Sequence, residues 1–425
     1  MGQGENILLV LNTRFEIKMA VLRNNIWKVI FVMTVLSVSN ASTASTETAT
    51  TETDGESLRN LGVINNKLAF DLMHQLTAGN KSENIFISPL SISMALGLLY
   101  YGAGGNTAKE MEKVLGYQDA GMTKKSIHRA FQSFLTHGLK ESANFTLNAA
   151  NAVLVDNKLE LVSSFKEKAQ KAYFANVTSV DFSSNAPEIK NDINNWVNKQ
   201  TNGKIPQLLD NLDSETVFMI LNAVYFKGHW KLPFRPDMTK EREFLNNGEK
   251  SEAKLVPMMH TYNRAGLASL SGCEILELPY IQDNIVMLIM LPEHGLKSFE
   301  EKLTHTYIDE ILRRMSYDSY TYIIPKFKID FYRNLIPQLK RLGLKTTFDD
   351  GDFSGMIANV TIPTSEFLHK AVIEVNEEGT KAAAAISLRL KKSEMTYFVA
   401  DRPFFFVILD RRTKFILFMG RVTQM

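Results

Sequence analysis

Glu374-Val-Asn-Glu-Glu-Gly-Thr-Lys-Ala-Ala-Ala-Ala-Ile-Ser-Leu-Arg-Leu-Lys-Lys-Ser-Glu394 is the stretch on which the reading of this chain turns. Taken at period two, Thr380, Ala382, Ala384, Ile386, Leu388 and Leu390 lie on one face. Lys381, Ala383, Ala385, Ser387, Arg389 and Lys391 lie on the other. That alternation suits a strand with one buried face. Alanine is a poor strand former, and Ala, Glu, Lys and Leu together also suit a short helix over 377–390. Propensity alone leaves both open. Two further features favour a segment able to join a sheet. No proline occurs between Ala371 and Arg402, so every residue there can donate to a ladder. Gly379 supplies backbone freedom where such a segment would swing.

Working outward, the chain of 425 residues changes character along its length. Arg23 and Lys28 precede an apolar run, Val29 to Leu36, and small polar residues follow around Ser39, Asn40 and Ala41. Basic, then apolar, then small is the order of a signal peptide, assigned here to residues 19–44. The run is short for a bilayer span, so no membrane anchor is expected. Residues 1–18 form an extension upstream of that pattern. Residues 45–57, rich in Ser, Thr and Glu, read as a disordered or O-glycosylated linker. A single globular domain is expected over 58–425, with 45% hydrophobic and 22% charged residues in the whole chain.

Helices dominate the early part of that domain. Ile64, Leu68, Phe70, Leu72 and Leu76 outline the first, and Ser88-Pro89 caps and opens the second. A third runs from Ala108 to Leu115. Strands follow: Val217–Phe226, Glu274–Leu278, Asn284–Leu291, Tyr320–Ile324, Lys326–Tyr332 and Phe404–Phe418. Helices first and strands later argue for an α+β fold.

A net charge of +2 excludes a broadly nucleic-acid-binding balance. The lone Cys273 excludes an intrachain disulfide and reads as a strand or core residue. No nucleophile elbow, P-loop or zinc-protease motif is present, and Ser354 in Gly351-Asp-Phe-Ser-Gly355 is read as a turn residue. No catalytic residue, metal ligand or cofactor is assigned. Trp196 and Trp230 are assigned to packing.

Several motifs then occur in order. Asn84-Ile-Phe-Ile-Ser-Pro-Leu-Ser-Ile92, Asn222-Ala-Val-Tyr-Phe-Lys-Gly-His-Trp230 and His369-Lys-Ala-Val-Ile-Glu-Val-Asn-Glu-Glu-Gly-Thr380 are followed by Asp401-Arg-Pro-Phe-Phe-Phe406 and Ile416-Leu-Phe-Met-Gly-Arg-Val422. Together they resemble the serpin family over residues 58–425. The resemblance implies three β-sheets, eight or nine helices and an exposed reactive loop. It also implies an inhibitor rather than an enzyme. A serine protease attacks the loop and forms an acyl-enzyme, and the cut loop then enters the central sheet as a new strand.

The resemblance makes Glu378, Gly379, Thr380, Ala382, Ala383, Ala384 and Ala385 the hinge. Their small side chains fit the inhibitory type, although Lys381 stands where Glu is usual. The family spacing that the resemblance implies, roughly fifteen residues past the hinge glycine, falls on Ser393-Glu394. Counting back from Pro403 by the family's shorter pattern falls on Lys392-Ser393, where the scissile bond is placed. Lys391, Arg389 and the bond Ser393-Glu394 are the alternatives. A lysine there suits a trypsin-like serine protease with an acidic specificity pocket. The tandem Lys391-Lys392 also admits a furin-like protease. A carrier or chaperone serpin is the competing expectation.

Lys124, Lys125, His128 and Arg129 form a basic helix face of the sort that binds heparin-like polyanions weakly in some serpins. Asn80, Asn144, Asn176 and Asn359 begin glycosylation sequons. A secreted, extracellular monomer is expected, with no nucleic-acid partner.

Overall fold

The computed structural model describes residues 47–80, 82–138, 145–281, 283–358, 361–378 and 397–425. Asp54–Met425 is one compact unit. Of residues 1–53 only the opening of a helix is described. That helix, Glu47–Thr77, begins inside the stretch read as linker, so 47–57 is helical. Helix growth is cooperative, and a helix anchored by buried Leu61, Ile64 and Leu68 extends outward at little cost.

Ten α-helices occur among the described residues, one more than expected, because two very short ones (Leu296–Glu300 and Thr346–Asp349) are included. Strands form three sheets. The nine-stranded sheet runs Ile85–Ile87, Ile416–Val422, Phe404–Asp410, Ile285–Pro292, Cys273–Pro279, Ala253–Leu270, Ser316–Pro325 and Tyr397–Val399, with Lys240–Leu245 added beside Ala253–Leu270. A two-stranded sheet pairs Gly351–Asp352 with Thr361–Ile362. The five-stranded sheet runs Phe327–Asn334, Glu366–Val375, Phe218–Gly228, Phe145–Asp156 and Asn176–Val180.

Both faces of the five-stranded sheet are covered, which explains the unbroken apolar run in its centre. Phe218, Ile220, Val224 and Phe226 enter the main core. Met219, Leu221, Ala223 and Tyr225 pack on the opposite face against Phe182, Ile189, Ile193 and Val197 of the Phe182–Gln200 helix. Trp196 joins this second cluster half-buried, while Trp230 is buried in the first.

The run read as one strand from Phe404 to Phe418 is two, joined by a tight hairpin. Asp410 accepts hydrogen bonds from the Arg412 amide (2.9 Å) and the Thr413 hydroxyl (3.0 Å), and Lys414 takes a left-handed φ of 60°. The other strand and helix expectations coincide with observed elements. Cys273 is a buried strand residue, and burial pushes its thiol up to about 12. Ser354 sits in a turn, its amide donating to Asp352 at 3.1 Å.

Candidate functional site

The central feature is the contact between Phe218–Gly228 and Glu366–Val375. These strands lie side by side in parallel, in unbroken register from Glu366 beside Met219 to Ile373 beside Phe226. Immediately after this pair, residues 379–396 lead from the five-stranded sheet to Tyr397–Val399, at the far edge of the nine-stranded sheet. Any strand formed by direct reversal after Val375 would run antiparallel to both members of the pair. Wedged between them, it would replace one parallel ladder by two antiparallel ones, which are slightly more stable per residue. The sheet is therefore complete as five strands and topologically open to a sixth.

A buried polar lock holds the middle of the pair. His369 and Asn222 are each 0% exposed and sit side by side in register. The His369 Nδ1 lies 2.6 Å from Asn222 Oδ1, and its Nε2 accepts from the Ser88 amide at 3.3 Å. An acceptor on one side and a donor on the other fit a neutral ring protonated at Nδ1. Burial pushes the imidazole pKa down to about 3. Asn222 also accepts from the Ser91 hydroxyl (3.1 Å) and donates to Asn151 (2.5 Å). Ser88, the N-cap of the Pro89–Gly102 helix, donates in turn to the Leu417 carbonyl at 2.9 Å. One network thus ties the strand pair to a core helix and to the C-terminal hairpin.

A second lock closes the hinge end. Trp230 Nε1 donates to the Asn376 carbonyl at 2.8 Å, and its amide donates to the Glu378 carbonyl at 3.3 Å. Glu377 accepts from Lys326 (2.9 Å) and the Thr239 hydroxyl (2.8 Å). Burial would raise its carboxyl, but these hydrogen bonds prevail and hold it below the usual range. Glu378 pairs with Lys227, whose hydrogen bond lowers that carboxyl as well. Tyr280 stacks on Trp230 at 4.6 Å between ring centroids. It also lies against Gly228, where an added Cβ would come within 2.2 Å of the ring. That close approach is why the motif carries glycine two residues before the tryptophan.

Of the residues expected from sequence, Glu378 is thus placed in the hinge-end lock. Gly379, Thr380, Ala382, Ala383, Ala384 and Ala385 lie outside the described residues, as do Arg389, Lys391, Lys392, Ser393 and Glu394. The strand and helix alternatives for that stretch lie there too. Asn144 and Asn359 are also outside. Asn176 is exposed on the edge strand, whereas the Asn80 side chain is engaged with Glu83, donating to its carboxylate at 2.5 Å. The polar pair Asn222 and His369 was missed as a lock, although each interrupts an otherwise apolar run, which is the signal of a satisfied buried network.

The basic helix face is smaller than expected. Only Lys125 and Arg129 are exposed. Lys124 turns inward, donating to the Ala103 carbonyl at 2.7 Å and lying over the Tyr100 ring. His128 bonds Tyr173 and packs edge-on against Tyr101, and burial, reinforced by Lys124, pushes its pKa down to about 3. The apolar stripe of this helix needed both positions. Among the described residues no cluster suited to a metal ion occurs, and no helix is long and apolar enough to cross a membrane.

The site is thus a continuous parallel strand pair, tied by a buried polar network at its centre and by Trp230 and Glu378 at its end. The serpin (serine protease inhibitor) family model matches residues 63–425, and the chain belongs to that family of inhibitors rather than to the enzymes. It is 36% identical to the leukocyte elastase inhibitor of Bos taurus over 383 residues, covering 86% of this chain and 100% of that one. It is 36% identical to serpin B9 of Homo sapiens, over 84% of this chain and 97% of the relative. Among solved structures it resembles native protease nexin-1 with heparin, at a TM-score of 0.78 and 29% identity over 87% and 100% of the two chains.

Proposed function

We propose that this chain inhibits trypsin-like serine proteases by offering Lys392-Ser393 as bait. The enzyme's serine attacks the Lys392 carbonyl and expels the Ser393 amine, leaving an ester between Lys392 and the enzyme. The freed segment then enters between Phe218–Gly228 and Glu366–Val375 before water can hydrolyse that ester. The observation that carries this reading is the unbroken parallel pair directly preceding the alanine-rich segment. Lys392 is the residue an acidic specificity pocket would select.

Cleavage at Ser393-Glu394 by an elastase-like enzyme is the second reading, favoured by the name of the bovine relative. A furin-like enzyme is a further candidate on the tandem lysines. Weak polyanion binding would rest on Lys125 and Arg129 alone. Secretion is proposed because residues 19–44 carry the signal pattern and lie outside the family match, which starts at 63.

The test is incubation with trypsin, pancreatic elastase and furin in turn, followed by denaturing electrophoresis and mass spectrometry. An SDS-stable band at the summed mass, with a released peptide beginning at Ser393, is expected with trypsin. A peptide beginning at Glu394 with elastase transfers the assignment to the second reading. Cleavage without any complex, and without gain of heat stability, makes the protein a carrier or chaperone.

A further inference from the structure

Resting on the secretion reading, the outer edge of the five-stranded sheet gives one of the four sequons a distinct setting. Asn176–Val180 is the last strand of that sheet. It pairs in parallel with Phe145–Asp156, Ala152 lying beside Asn176, and among the described residues no strand covers its other side. An open edge invites pairing with another chain unless something shields it. Burial alternates on the way into this strand. Tyr173, Ala175 and Val177 are buried, whereas Phe174 and Asn176 are exposed and Thr178 is half-buried. Residues 174, 176 and 178 therefore share the outward side.

Phe174 is an unusual residue for its place. It caps the Ser163–Tyr173 helix in the left-handed region, at φ 49° and ψ 28°. Glycine or asparagine ordinarily takes such a position, because a bulky side chain is strained there. Yet Phe174 is 59% exposed, and it joins neither hydrophobic cluster of the described residues. Neither the cap nor the core accounts for a phenyl ring. Two residues on, the Asn176 carboxamide oxygen accepts from the Thr178 hydroxyl at 3.2 Å. Its Nδ2, the atom to which a sugar is attached, has no hydrogen-bond partner among the described residues. An aromatic two places ahead of the asparagine marks this sequon alone, since Ala78, Ser142 and Ile357 precede the other three. The Asn80 carboxamide differs further, being bonded to Glu83 through both Nδ2 and Oδ1.

We propose that Asn176 carries an N-glycan whose first N-acetylglucosamine lies on the Phe174 ring. Transfer of the glycan forms the bond between Nδ2 and the sugar C1. The polyprenyl diphosphate of the donor leaves, and Nδ2 gives up one proton to solvent. One face of the attached sugar presents mainly C–H bonds, whose partial positive charge is drawn to the negative face of an aromatic ring as an aromatic edge is. The exposed ring is covered in this way, and the rest of the glycan screens the open sheet edge.

The test is production of the full chain, with and without an added secretion leader, in animal cells limited to high-mannose glycans. Peptide mapping after peptide N-glycosidase is expected to find Asn176 converted to aspartate in the secreted protein. Trimming with an endoglycosidase that leaves one N-acetylglucosamine should leave the melting temperature unchanged. Asn176→Gln should lower it by about 1 °C, the shift one such contact gives in a domain of this size. Phe174→Ala should lower the glycosylated protein equally and leave the Asn176→Gln background unmoved, and Phe174→Tyr should restore the parent value. A bare Asn176 in the secreted chain overturns the proposal. So does a cost of Phe174→Ala that is the same with and without the glycan, or a fall on trimming to one sugar. Retention in the cell with residues 19–44 still attached, unless the leader is added, defeats the secretion reading instead; the leader-carrying protein then decides the stacking by the same comparison.

Discussion

At the middle of the parallel pair, Asn222 and His369 meet with no exposed surface, whereas at its hinge end Glu378 and Glu377 meet Lys227 and Lys326 partly in solvent, beside the buried Trp230. The central contacts tie the two strands together, and so, at the hinge end, do the bonds of Lys227 and Trp230 to Glu378 and Asn376. Glu377 anchors the same end to Lys326 and Thr239 beside the pair. An entering strand would have to part the first and displace the second. Their energies differ in kind. A buried hydrogen bond gives a modest net gain while made, but leaving its partners unsatisfied costs the full desolvation penalty. A half-exposed ion pair is screened and costs little to open. Entry from the hinge end therefore meets the weak lock first and the strong one only after new ladder bonds have begun to form.

Removing the strong lock should give the largest effect. Asn222→Ala strands the His369 Nδ1–H and the Ser91 and Asn151 side chains in an apolar interior. About 3 kcal/mol of stability should be lost from the uncut form. With the usual unfolding entropy per residue, that is a fall of about 4 °C in melting temperature. Calorimetry on the uncut protein checks it; a fall below 1 °C would show that the two locks do not differ as their burial implies.

Acidification probes the same lock with no mutation. His369 titrates near 3 in the fold and near the ordinary histidine value of about 6.5 when unfolded. Between those values the unfolded chain binds the extra proton, so stability rises with pH and is lost as pH falls from about 6.5 towards 3, by up to about 1.4 kcal/mol per pH unit. His128, also lowered to about 3, contributes in the same direction. Raised Glu300 and Glu366 oppose it. The informative quantity is thus the difference between parent and variant. His369→Gln should flatten the dependence of melting temperature on pH between 7 and 5, and an unchanged slope would break the assignment of a neutral, Nδ1-protonated ring.

The two regions also differ in how much of them the sequence disclosed. The central strand was legible because both of its faces are covered, which turns Val217–Phe226 into a continuous apolar run. Its pairing with Glu366–Val375 was not, since nothing local marks two parallel neighbours separated by well over a hundred residues. The Ser88 cap and Pro89 were read correctly from local chemistry, but their tie to His369 depends on a contact spanning nearly three hundred positions. Likewise Lys124 and His128 looked like surface charge until the Tyr100, Tyr101 and Tyr173 rings were placed around them. The hinge motif was legible as a pattern of small residues, and Glu378 was included in it. Its partners Lys227 and Trp230 come from a different motif altogether.

The weak lock gives the smallest expected effect on stability and the sharpest contrast in kinetics. Glu377→Gln keeps a hydrogen-bonding group opposite Lys326 and Thr239 but removes the charge. Lys326 is 37% exposed and Glu377 12%, so the pair, discounted for solvent screening, contributes about 0.5 kcal/mol. The uncut protein should melt within about 1 °C of the parent. Opening at the hinge end precedes every later step, however, so the variant should convert to the inserted form faster once cut, as followed by Trp230 fluorescence. The gap in melting temperature between Glu377→Gln and the parent should shrink further in high salt, while that of Asn222→Ala should not, because a buried hydrogen-bond network is hardly screened. If Glu377→Gln slows insertion, or costs as much stability as Asn222→Ala, the hinge end is not the weaker of the two locks, and entry must begin elsewhere along the pair.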